Sequence, residues 1–424
     1  MRNEQTEPGK ETAPRPSHSR ENPADTETRR WLDVQKAMAE GRSARKSTRM
    51  ADRILLSLCA LMLSVCGLLI YILPSHTFSE AENRPLTVAP RFTFHSLFSG
   101  QFTSAVTDFY ADQFPWRNAF VEVKAMTELA ALRLENNDVM LGRDGYIVKR
   151  LEYDEAAYET IRKNMEALES FRRFCEKNST ACTLAVVPRG EDVLKSKLLS
   201  TYDGVRAAQS WQDVEGRAVT FTERLRTLAD DGAYVWYKTD HHYTALGAYY
   251  VYEALGASLG YTPRPLSDFT MEYASDGFYG TTYSSSGMRW VAPDTLTFFR
   301  YEGDERFYTS FSSEGEGFDG FYDRSYLAAR DQYSAYLGGN HALTRVTCPG
   351  ETRPKLMLVK DSFAHALAPF LAQHFDLVLV DLRYYTSSVR RLWEAEQPDA
   401  VLVLYGLDSL ATSDEASRVA YGLN

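Results

Sequence analysis

The sequence has few cysteines, and this scarcity limits what the chain can be. Its 424 residues include five cysteines, of which Cys59 and Cys66 lie inside one long apolar run. The other three, Cys175, Cys182 and Cys348, are too few for the disulfide framework of a small secreted domain. Cys175 and Cys182 bracket a short polar loop, so they either pair with each other or remain two unpaired thiols.

Metal-binding motifs and basic character are also missing. No Cys-x-x-Cys or His-Glu-x-x-His spacing occurs, so we expect neither a metal site nor a cofactor. The formal net charge is -10, which argues against nucleic acid as a partner. A hydrophobic content of 44% is enough for a sizeable core, and the length suits two or three domains or one large domain with extensions.

One stretch of the chain has the length and composition of a membrane anchor. Ile54–Leu73 is a run of 20 residues without a charged side chain. At about 1.5 Å per residue, such a helix spans roughly the 30 Å of a bilayer core. The alternative is a cleaved signal peptide, whose apolar region is usually only about 7–15 residues long.

The flanking charges predict the orientation of this anchor. Only Asp52 is acidic among the residues just before the run. The basic residues there are Arg42, Arg45, Lys46, Arg49 and Arg53. The positive-inside rule therefore places the N-terminus in the cytoplasm and the residues after the run outside. We expect a single-pass protein of the cell membrane.

The rest of the chain divides by composition and periodicity. Residues 1–53 are charged and proline-containing, which predicts a disordered cytoplasmic tail with at most a short helix at Trp31–Ala39, and residues 74–100 predict an extended arm. From residue 101, helical runs alternate with short buried strands, which predicts an α/β domain with a mostly parallel sheet flanked by helices. Residues 262–325 lack helical signals and predict an irregular or β insertion. The strands are predicted at 183–187, 233–237, 355–359, 377–380 and 400–404, and the main helices at 155–176, 222–229, 245–259, 363–375 and 388–396.

An acid and two imidazoles stand between the strand-like run Ala233–Tyr237 and the helix-like run Ala245–Leu259. Open α/β sheets build their sites where a strand gives way to a helix. In extended backbone, residues i and i+2 project to the same side, so Asp240 can orient His242 while His241 diverges. His242 is therefore the expected general base, with Asp240 as its partner. A polar loop rim is the ordinary alternative.

A serine occupies the corresponding position about 120 residues later. The run 355–359 predicts a buried strand, and Lys360-Asp361-Ser362 leads into a helix that starts near Phe363. The backbone N–H groups of Ser362 and Phe363 are then helix-end donors that favour a developing oxyanion. An ordinary N-cap serine is the alternative. Placed together, Ser362, His242 and Asp240 indicate a hydrolase or an acyl transferase.

The motif Asp240-His-His-Tyr243, followed by Gly247-Ala-Tyr249, resembles the DHHW family of bacterial surface proteins. Tyrosine stands where that motif has tryptophan, which keeps an aromatic ring and removes the indole N–H. The resemblance runs from about residue 78 to the C-terminus. Four further stretches carry it in order: Ser79-Glu-Ala-Glu-Asn-Arg84, Asp112-Gln-Phe-Pro-Trp-Arg117, Leu337-Gly-Gly-Asn-His341 and Val359-Lys-Asp-Ser-Phe363.

That family is similar to the SGNH-like acetyltransferases of alginate and cellulose modification. The resemblance implies an SGNH-like domain at 101–424 and a triad of Asp240, His242 and Ser362. It also implies that Gly339 and Asn340 line the oxyanion region, for which a tight Gly-Gly-Asn turn is the alternative. Arg117 and Arg383 are candidates for substrate binding, with surface ion pairing as the alternative.

These observations predict a membrane-anchored extracellular O-acyltransferase, most simply an O-acetyltransferase, that acts on a cell-surface glycan through an ester at Ser362. The alternatives are an esterase that removes acyl groups and a non-catalytic glycan-binding protein of the cell envelope. Because the usual activated acetyl carrier is cytoplasmic and charged, a transferase outside needs help across the membrane. We therefore expect a multi-spanning membrane-bound O-acyltransferase as a partner.

Overall fold

The N-terminal part of the chain is one long helix. The structure, a computed structural model, describes residues 23–151, 154–199, 204–311 and 317–423, and it separates the chain into the units Met1–Ser75 and His76–Asn424. The first unit contains helix α1 (Pro23–Ile72). Its portion Met50–Ile72 is long and apolar enough to cross a membrane, by length and composition alone.

The structure describes only part of the tail that was predicted to be disordered. Residues 1–22 lie outside the described residues, whereas residues 23–53 are helical rather than disordered. Proline is favoured at the first position of a helix, where Pro23 stands, and the stretch after it contains no further proline. Alanine, glutamate, arginine and lysine, which recur there, are strong helix formers. The charge that suggested disorder is therefore also compatible with a helix.

Short elements precede the main sheet of the second unit. Strands β1 (Phe78–Ser79) and β2 (Arg84–Pro85) pair antiparallel. Helices α2 (Phe94–Phe98), α3 (Gln101–Asp112) and α4 (Arg117–Ala130) follow. Pro115 lies between α3 and α4, where it prevents a continuous helix. Strands β3 (Glu135–Asn136), β4 (Val139–Leu141) and β5 (Ile147–Lys149) then form a three-stranded antiparallel sheet.

The second unit is organised around an eight-stranded mixed sheet. The remaining strands are β6 (Ala181–Val187), β7 (Val219–Thr220), β8 (Thr270–Phe278), β9 (Asp294–Arg300), β10 (Tyr308–Phe311), β11 (Gly317–Asp319), β12 (Leu343–Thr347), β13 (Lys355–Lys360), β14 (Asp376–Asp381) and β15 (Ala400–Gly406). All of these except β8 and β9 belong to the large sheet, in which the strand order is β11-β10-β12-β14-β13-β15-β6-β7. Pairs from β14 to β7 are parallel, and pairs from β11 to β14 are antiparallel.

Helices cover both faces of this sheet. They are α5 (Glu155–Lys177), α6 (Gly190–Val193), α7 (Gly204–Trp211), α8 (Thr222–Asp230), α9 (Ala245–Leu259), α10 (Thr281–Ser286), α11 (Ala364–Leu371), α12 (Val389–Glu396) and α13 (Leu407–Thr412). Strand β13 shows the two layers. Leu356 and Leu358 belong to the core cluster that contains α9 and α11, while Met357 and Val359 belong to the cluster that contains α5, α12 and α13. Full burial of each such side chain contributes about 1.5–3 kcal/mol.

The predicted fold class is confirmed, since the structure has an α/β architecture with a large mixed sheet between helices. The insertion predicted at 262–325 is β-rich, as expected, but it is not entirely separate from the sheet. Strands β8 and β9 form their own antiparallel pair, whereas β10 and β11 extend the large sheet through β12. This antiparallel extension is what makes the sheet mixed.

The strand predicted at Ala233–Tyr237 is wrong. This segment lies outside the sheet and forms only an isolated bridge, between Trp236 and Tyr243. Val235, Trp236 and Tyr237 are nevertheless almost completely buried. An apolar run therefore indicated burial correctly, but the backbone of this run pairs with the residues that follow it instead of with a neighbouring strand.

Cys175 and Cys182 are both free thiols that lie next to each other. Cys175 is buried in the last turn of α5, and Cys182 is in β6. A hydrogen bond to Cys175, together with burial, raises the pKa of the Cys182 thiol.

Candidate active site

The Asp-His-His segment is a loop closed by its own backbone. Tyr237 N–H donates to the His242 carbonyl at 3.2 Å, and Thr244 N–H donates to the Val235 carbonyl at 3.0 Å. Thr244 then caps α9, because its Oγ1 accepts from Gly247 N–H at 3.2 Å. A Cβ at Gly247 would lie 2.2 Å from the Val235 oxygen, so only glycine lets α9 pack this closely on the loop.

Asp294, the first residue of β9, fixes the start of the same loop. Its buried carboxylate accepts from the backbone N–H groups of Lys238 at 2.9 Å and Thr239 at 2.7 Å. The Thr239 hydroxyl donates to it as well, at 2.5 Å. Asp240 therefore follows directly on two residues that are held in place.

Ser362 stands on the turn between β13 and α11, and the neighbouring Asp361 anchors that turn. One carboxylate oxygen of Asp361 accepts from Phe363 N–H at 3.0 Å. The other accepts from Gly406 N–H and from the Ser409 hydroxyl, each at 2.7 Å. Because Gly406 ends β15, the serine turn is fastened to the adjacent strand.

The structure brings Ser362, His242 and Asp240 together. His242 Nε2 lies 2.7 Å from Ser362 Oγ, and His242 Nδ1 lies 2.5 Å from Asp240 Oδ1. The Asp240 carboxylate is buried and also accepts from His242 N–H at 3.0 Å and from Thr281 N–H at 2.7 Å. This is the arrangement in which a carboxylate orients an imidazole whose other nitrogen can take a hydroxyl proton.

The electrostatics of Asp240 favour its ionised form. Burial alone raises the pKa of a carboxyl group, but the adjacent imidazoles of His241 and His242 and the hydrogen bonds from His242 and Thr281 together lower the pKa of Asp240. An ionised Asp240 accepts a hydrogen bond from Nδ1–H of His242, which keeps the proton on Nδ1. Nε2 is then left as the acceptor that faces Ser362.

His241 occupies a different position from its neighbour. Its Nδ1 lies 2.7 Å from the Thr281 hydroxyl, and its ring centre lies 3.8 Å from that of His242. Burial, followed by repulsion from His242, lowers the pKa of His241 to about 3, so its ring is neutral near pH 7. Of the two histidines, only His242 is hydrogen-bonded to Ser362 in the described part of the chain.

The predicted oxyanion groups are only partly available. Phe363 N–H was expected to be a free donor, but it is bonded to Asp361 instead. The N–H of Ser362 has no hydrogen-bond partner among the described residues. Gly339 has a φ of +87°, and a Cβ there would lie 3.0 Å from Ser334 Oγ, so this position requires glycine whichever role it has. The side chain of Asn340 is exposed, and its oxygen accepts from Arg383 at 2.9 Å.

Both predicted substrate arginines are in ion pairs. Arg383 binds both oxygens of Asp381, at 2.9 and 2.6 Å. Asp381 in turn accepts from Lys360, a fully buried lysine at the end of β13, at 3.0 Å. Arg117 is paired with Glu82, and it borders a pocket that also includes Thr281.

Three groups around the site were not identified from the sequence. Tyr333 stacks on the His242 ring, Thr281 bonds both Asp240 and His241, and Asp361 holds the serine turn. Asp361 stands inside a motif that was quoted for the family resemblance, so its position was a usable signal. Tyr333 and Thr281 lie in stretches whose patterns gave no comparable signal.

Asp240, His241 and His242 form the one group of potential metal ligands found among the described residues. Their ligand atoms lie within 4.8 Å of one another. Most of these atoms are already engaged, since both nitrogens of His242, one nitrogen of His241 and both oxygens of Asp240 have hydrogen-bond partners. The arrangement therefore fits proton transfer better than metal binding.

Comparison with known families agrees with the motifs. A family model described as "DHHW protein" matches residues 216–381, a range that includes Asp240, His242 and Ser362. A second, described as "SGNH hydrolase-like domain, acetyltransferase AlgX", matches residues 139–283. The resemblance to both families that the sequence predicted is thereby confirmed. No curated protein matches the chain.

Solved structures share the fold of this chain. A DHHW family protein from Eubacterium siraeum is 19% identical, with a TM-score of 0.54 over 67% of this chain and 95% of that one. PatB1 from Bacillus cereus is 18% identical, with a TM-score of 0.53 over 65% of this chain and 98% of that one. A second PatB1 structure, with a sulfonyl adduct, has a TM-score of 0.51. At these identities the likeness shows a common fold.

Proposed function

We propose that this protein is a membrane-anchored extracellular O-acyltransferase, acting on a cell-surface polysaccharide through Ser362, His242 and Asp240. The observation that carries the proposal is the contact of 2.7 Å between Ser362 Oγ and His242 Nε2, with Asp240 on the other ring nitrogen. The match to a family model named for an acetyltransferase supports acetyl as the acyl group.

The arrangement supports a two-step mechanism. Ser362 Oγ attacks the carbonyl carbon of an acyl donor while Nε2 of His242 takes its proton, and Asp240 stabilises the imidazolium. The imidazolium returns that proton to the departing group, which leaves an ester on Ser362. A sugar hydroxyl then attacks the ester carbonyl and loses its proton to His242. The C–O bond to Ser362 breaks, the serine regains its proton, and the acylated sugar leaves.

The oxyanion formed in each step needs donors. The N–H of Ser362, unpaired within the described residues, stands just before α11 and is the best placed backbone donor. The side-chain N–H₂ of Asn340 is the second candidate, because Arg383 binds the oxygen of that amide and so fixes which end is free. Phe363 N–H is excluded by its bond to Asp361.

The anchor determines where the reaction takes place. The apolar helix Met50–Ile72 follows a basic flank, so we assign the N-terminus to the cytoplasm and the His76–Asn424 unit to the outside. A transferase placed there receives its acyl groups from the cytoplasm only through a multi-spanning partner. An esterase would need no such partner, since water is its acceptor.

The decisive experiment is detection of the covalent intermediate. The purified full chain is mixed with an activated acetyl ester, and the mass of the peptide that contains Ser362 is measured. In a parallel reaction the chain is treated with phenylmethylsulfonyl fluoride, because a PatB1 structure carries a sulfonyl adduct, and the mass of the same peptide is measured. We expect both reagents to modify Ser362. Binding of glycan without modification by either reagent would favour the non-catalytic alternative.

The direction of the reaction is tested in cells. Glycan-bound acetate is measured after deletion of the multi-spanning partner and, separately, in cells that carry Ser362→Ala. Loss of acetate in both strains supports transfer. If acetate instead rises in the Ser362→Ala strain, the enzyme removes acyl groups.

A further inference from the structure

A polar pocket of about 300 Å³ adjoins the Asp240 side of the site. Three segments that are distant in sequence form it: the β1–β2 turn, helix α4 and helix α10 with the nearby Asn137. The lining residues are Glu82, Asn83, Arg84, Arg117, Val121, Asn137, Thr281, Ser284 and Ser285. With one aliphatic side chain among nine, the lining suits a ligand that is rich in hydroxyl groups.

Thr281 connects this pocket to the reacting groups. Its hydroxyl donates to Asp240 Oδ2 at 3.0 Å and lies 2.7 Å from Nδ1 of His241. Asp240 is bonded to His242, and His242 to Ser362. A ligand in the pocket is therefore separated from the serine by one short chain of hydrogen bonds.

The same contacts fix the hydrogen-bonding role of His241. Because the Thr281 hydroxyl donates its hydrogen bond to Asp240, it accepts one from His241, so Nδ1 of His241 carries the proton. In a neutral ring Nε2 then bears a lone pair. That nitrogen has no partner among the described residues, and the side chain is 32% exposed. His241 thus presents an acceptor at the surface, on a ring whose other nitrogen is bonded to the pocket residue Thr281.

The charged side chains that line the pocket are held in ion pairs. Arg84 binds Glu82 at 2.7 Å and Asp112 at 2.5 Å, and Arg117 binds the other oxygen of Glu82. The two arginines of the lining are therefore matched by two carboxylates, so the lining itself has no excess positive charge. Two further cations bond lining residues from outside, Lys124 to Asn137 at 2.8 Å and Arg330 to Ser284 at 3.0 Å. The overall charge of -10 adds repulsion toward a polyanion.

The side-chain amide of Asn83 in the pocket is available for hydrogen bonds to a ligand. The half-buried side chain of Asn83 makes no hydrogen bond within the described residues, and its backbone has a φ of +50°, which asparagine tolerates better than most residues. It offers two donors and one acceptor to a ligand. Because the side chain is half-buried, water can satisfy it in the free protein, and the hydroxyl groups of a ligand can replace that water.

We propose that this pocket is a subsite for an uncharged sugar unit of the glycan, adjacent to the unit whose hydroxyl is acylated, and that Nε2 of His241 accepts a hydrogen bond from one of its hydroxyl groups. The inference rests on the proposed function, since it assumes that the acceptor is a glycan. It adds the class of sugar and the residues that select it.

Binding can be measured without catalysis. Full-length protein with Ser362→Ala is titrated by calorimetry with three uncharged oligosaccharides, cellopentaose, chitopentaose and mannopentaose, and with the acidic pentagalacturonate. We expect at least one uncharged member to bind about tenfold or more tighter than the acidic one. Tighter binding of pentagalacturonate, or binding by none of the uncharged members, overturns the proposal.

Substitutions locate the subsite. Ser285 is exposed, and its hydroxyl donates to the carbonyl four residues earlier in its helix. Replacing it in Ser285→Trp would fill the pocket with an indole ring and should weaken binding about tenfold or more. Ser170 makes the same type of bond in α5 and is the matched control, so Ser170→Trp should leave affinity within about twofold. Equal affinities in these two variants overturn the placement of the subsite. If Ser285→Trp does not fold, Asn83→Ala gives the same test.

The His241 contact has its own readout. His241→Ala should weaken binding, and His241→Gln, whose side-chain oxygen can accept a hydrogen bond, should recover part of the loss. An unchanged affinity in His241→Ala removes this residue from the subsite. Because every titration uses the Ser362→Ala background, absence of an acyl-Ser362 intermediate in the wild type would contradict the proposed function and leave these results standing.

Discussion

The ring of Tyr333 lies parallel to the imidazole of His242, with 4.0 Å between the ring centres and 9° between their planes. The face of an aromatic ring carries negative potential and attracts a cation above it. In the proposed mechanism His242 becomes an imidazolium at each transfer step. Tyr333 is therefore placed to stabilise the charged form of the base while it also restricts the rotation of the ring.

This contact predicts a graded effect of substitutions at Tyr333. Tyr333→Leu removes the ring face and should lower kcat for an activated acetyl ester about tenfold, since such contacts contribute on the order of 1–2 kcal/mol. Tyr333→Phe keeps the ring and loses only the hydroxyl, which donates to the Ser362 carbonyl at 3.2 Å, so its effect should be small. Equal losses in the two variants would assign the effect to the hydroxyl instead.

The proposed triad predicts large losses of activity. Ser362→Ala, His242→Ala and Asp240→Ala should each lower esterase activity by several orders of magnitude, because the three side chains act as a unit. His241→Ala should be much milder in the same assay, since His241 bonds Thr281 and not Ser362. Circular dichroism of each variant controls for folding. Comparable losses at His241 and His242 would contradict the assignment of the base.

The close approach of Gly280 to Asp240 predicts that a side chain at position 280 would displace the carboxylate. A Cβ at Gly280 would lie 2.2 Å from the Cβ of Asp240, and both groups are buried. Gly280→Ala should therefore displace Asp240, with a destabilisation of about 1–3 kcal/mol and a large loss of kcat. At Gly277 the nearest atom to a new Cβ is 3.9 Å away, so Gly277→Ala is the matched control. Denaturant midpoints and ester hydrolysis of both variants check this.

His374 predicts part of the pH dependence of stability. Burial, with repulsion from Arg264 and Arg353, lowers the pKa of His374 to about 4 from an ordinary value of 6.5. Between pH 6.5 and 4 the unfolded chain binds the proton more readily, so the contribution of His374 to stability falls as the solution is acidified. Thermal melting across this window should show a smaller pH slope for His374→Gln than for the wild type. An unchanged slope would refute the shifted pKa.

The membrane orientation is tested with a reporter. An enzyme that is active only outside the cytoplasm, fused after residue 424, should be functional, and protease added to intact cells should spare the first fifty residues. The motive is the apolar helix Met50–Ile72 with its basic flank. A protected C-terminus would contradict the extracellular assignment and, with it, the need for an acyl-transferring partner.

Elements with strong local signals were predictable from the sequence. Helix α9 begins at Ala245 and ends at Leu259 as predicted, because Thr244 caps one end and Gly260, in a left-handed conformation, ends the other. The central strands were predictable as well, since strands buried on both faces are continuous apolar runs. Which strands are neighbours depends on contacts between distant residues, and the run at 233–237 was misassigned for that reason.

The sequence identified the three side chains that the structure brings together, Asp240, His242 and Ser362, but not the residues around them. The spacing of Asp240 and His242 indicated which histidine faces the acid, but no local pattern measures the distance between residues 242 and 362. The availability of Phe363 N–H was predicted wrongly, because an aspartate just before the serine can occupy that donor. Tyr333 and Gly280 come from irregular segments, where periodicity carries no information about contacts.

The anchoring of Asp361 by Gly406 and Ser409 has a consequence for synthesis of the protein. Both partners are translated more than forty residues after the serine they help to position. A polypeptide released early by the ribosome, before β15, would possess every member of the proposed triad and still lack the support of the serine turn. The geometry of the serine turn would then be complete only in chains that extend through Ser409.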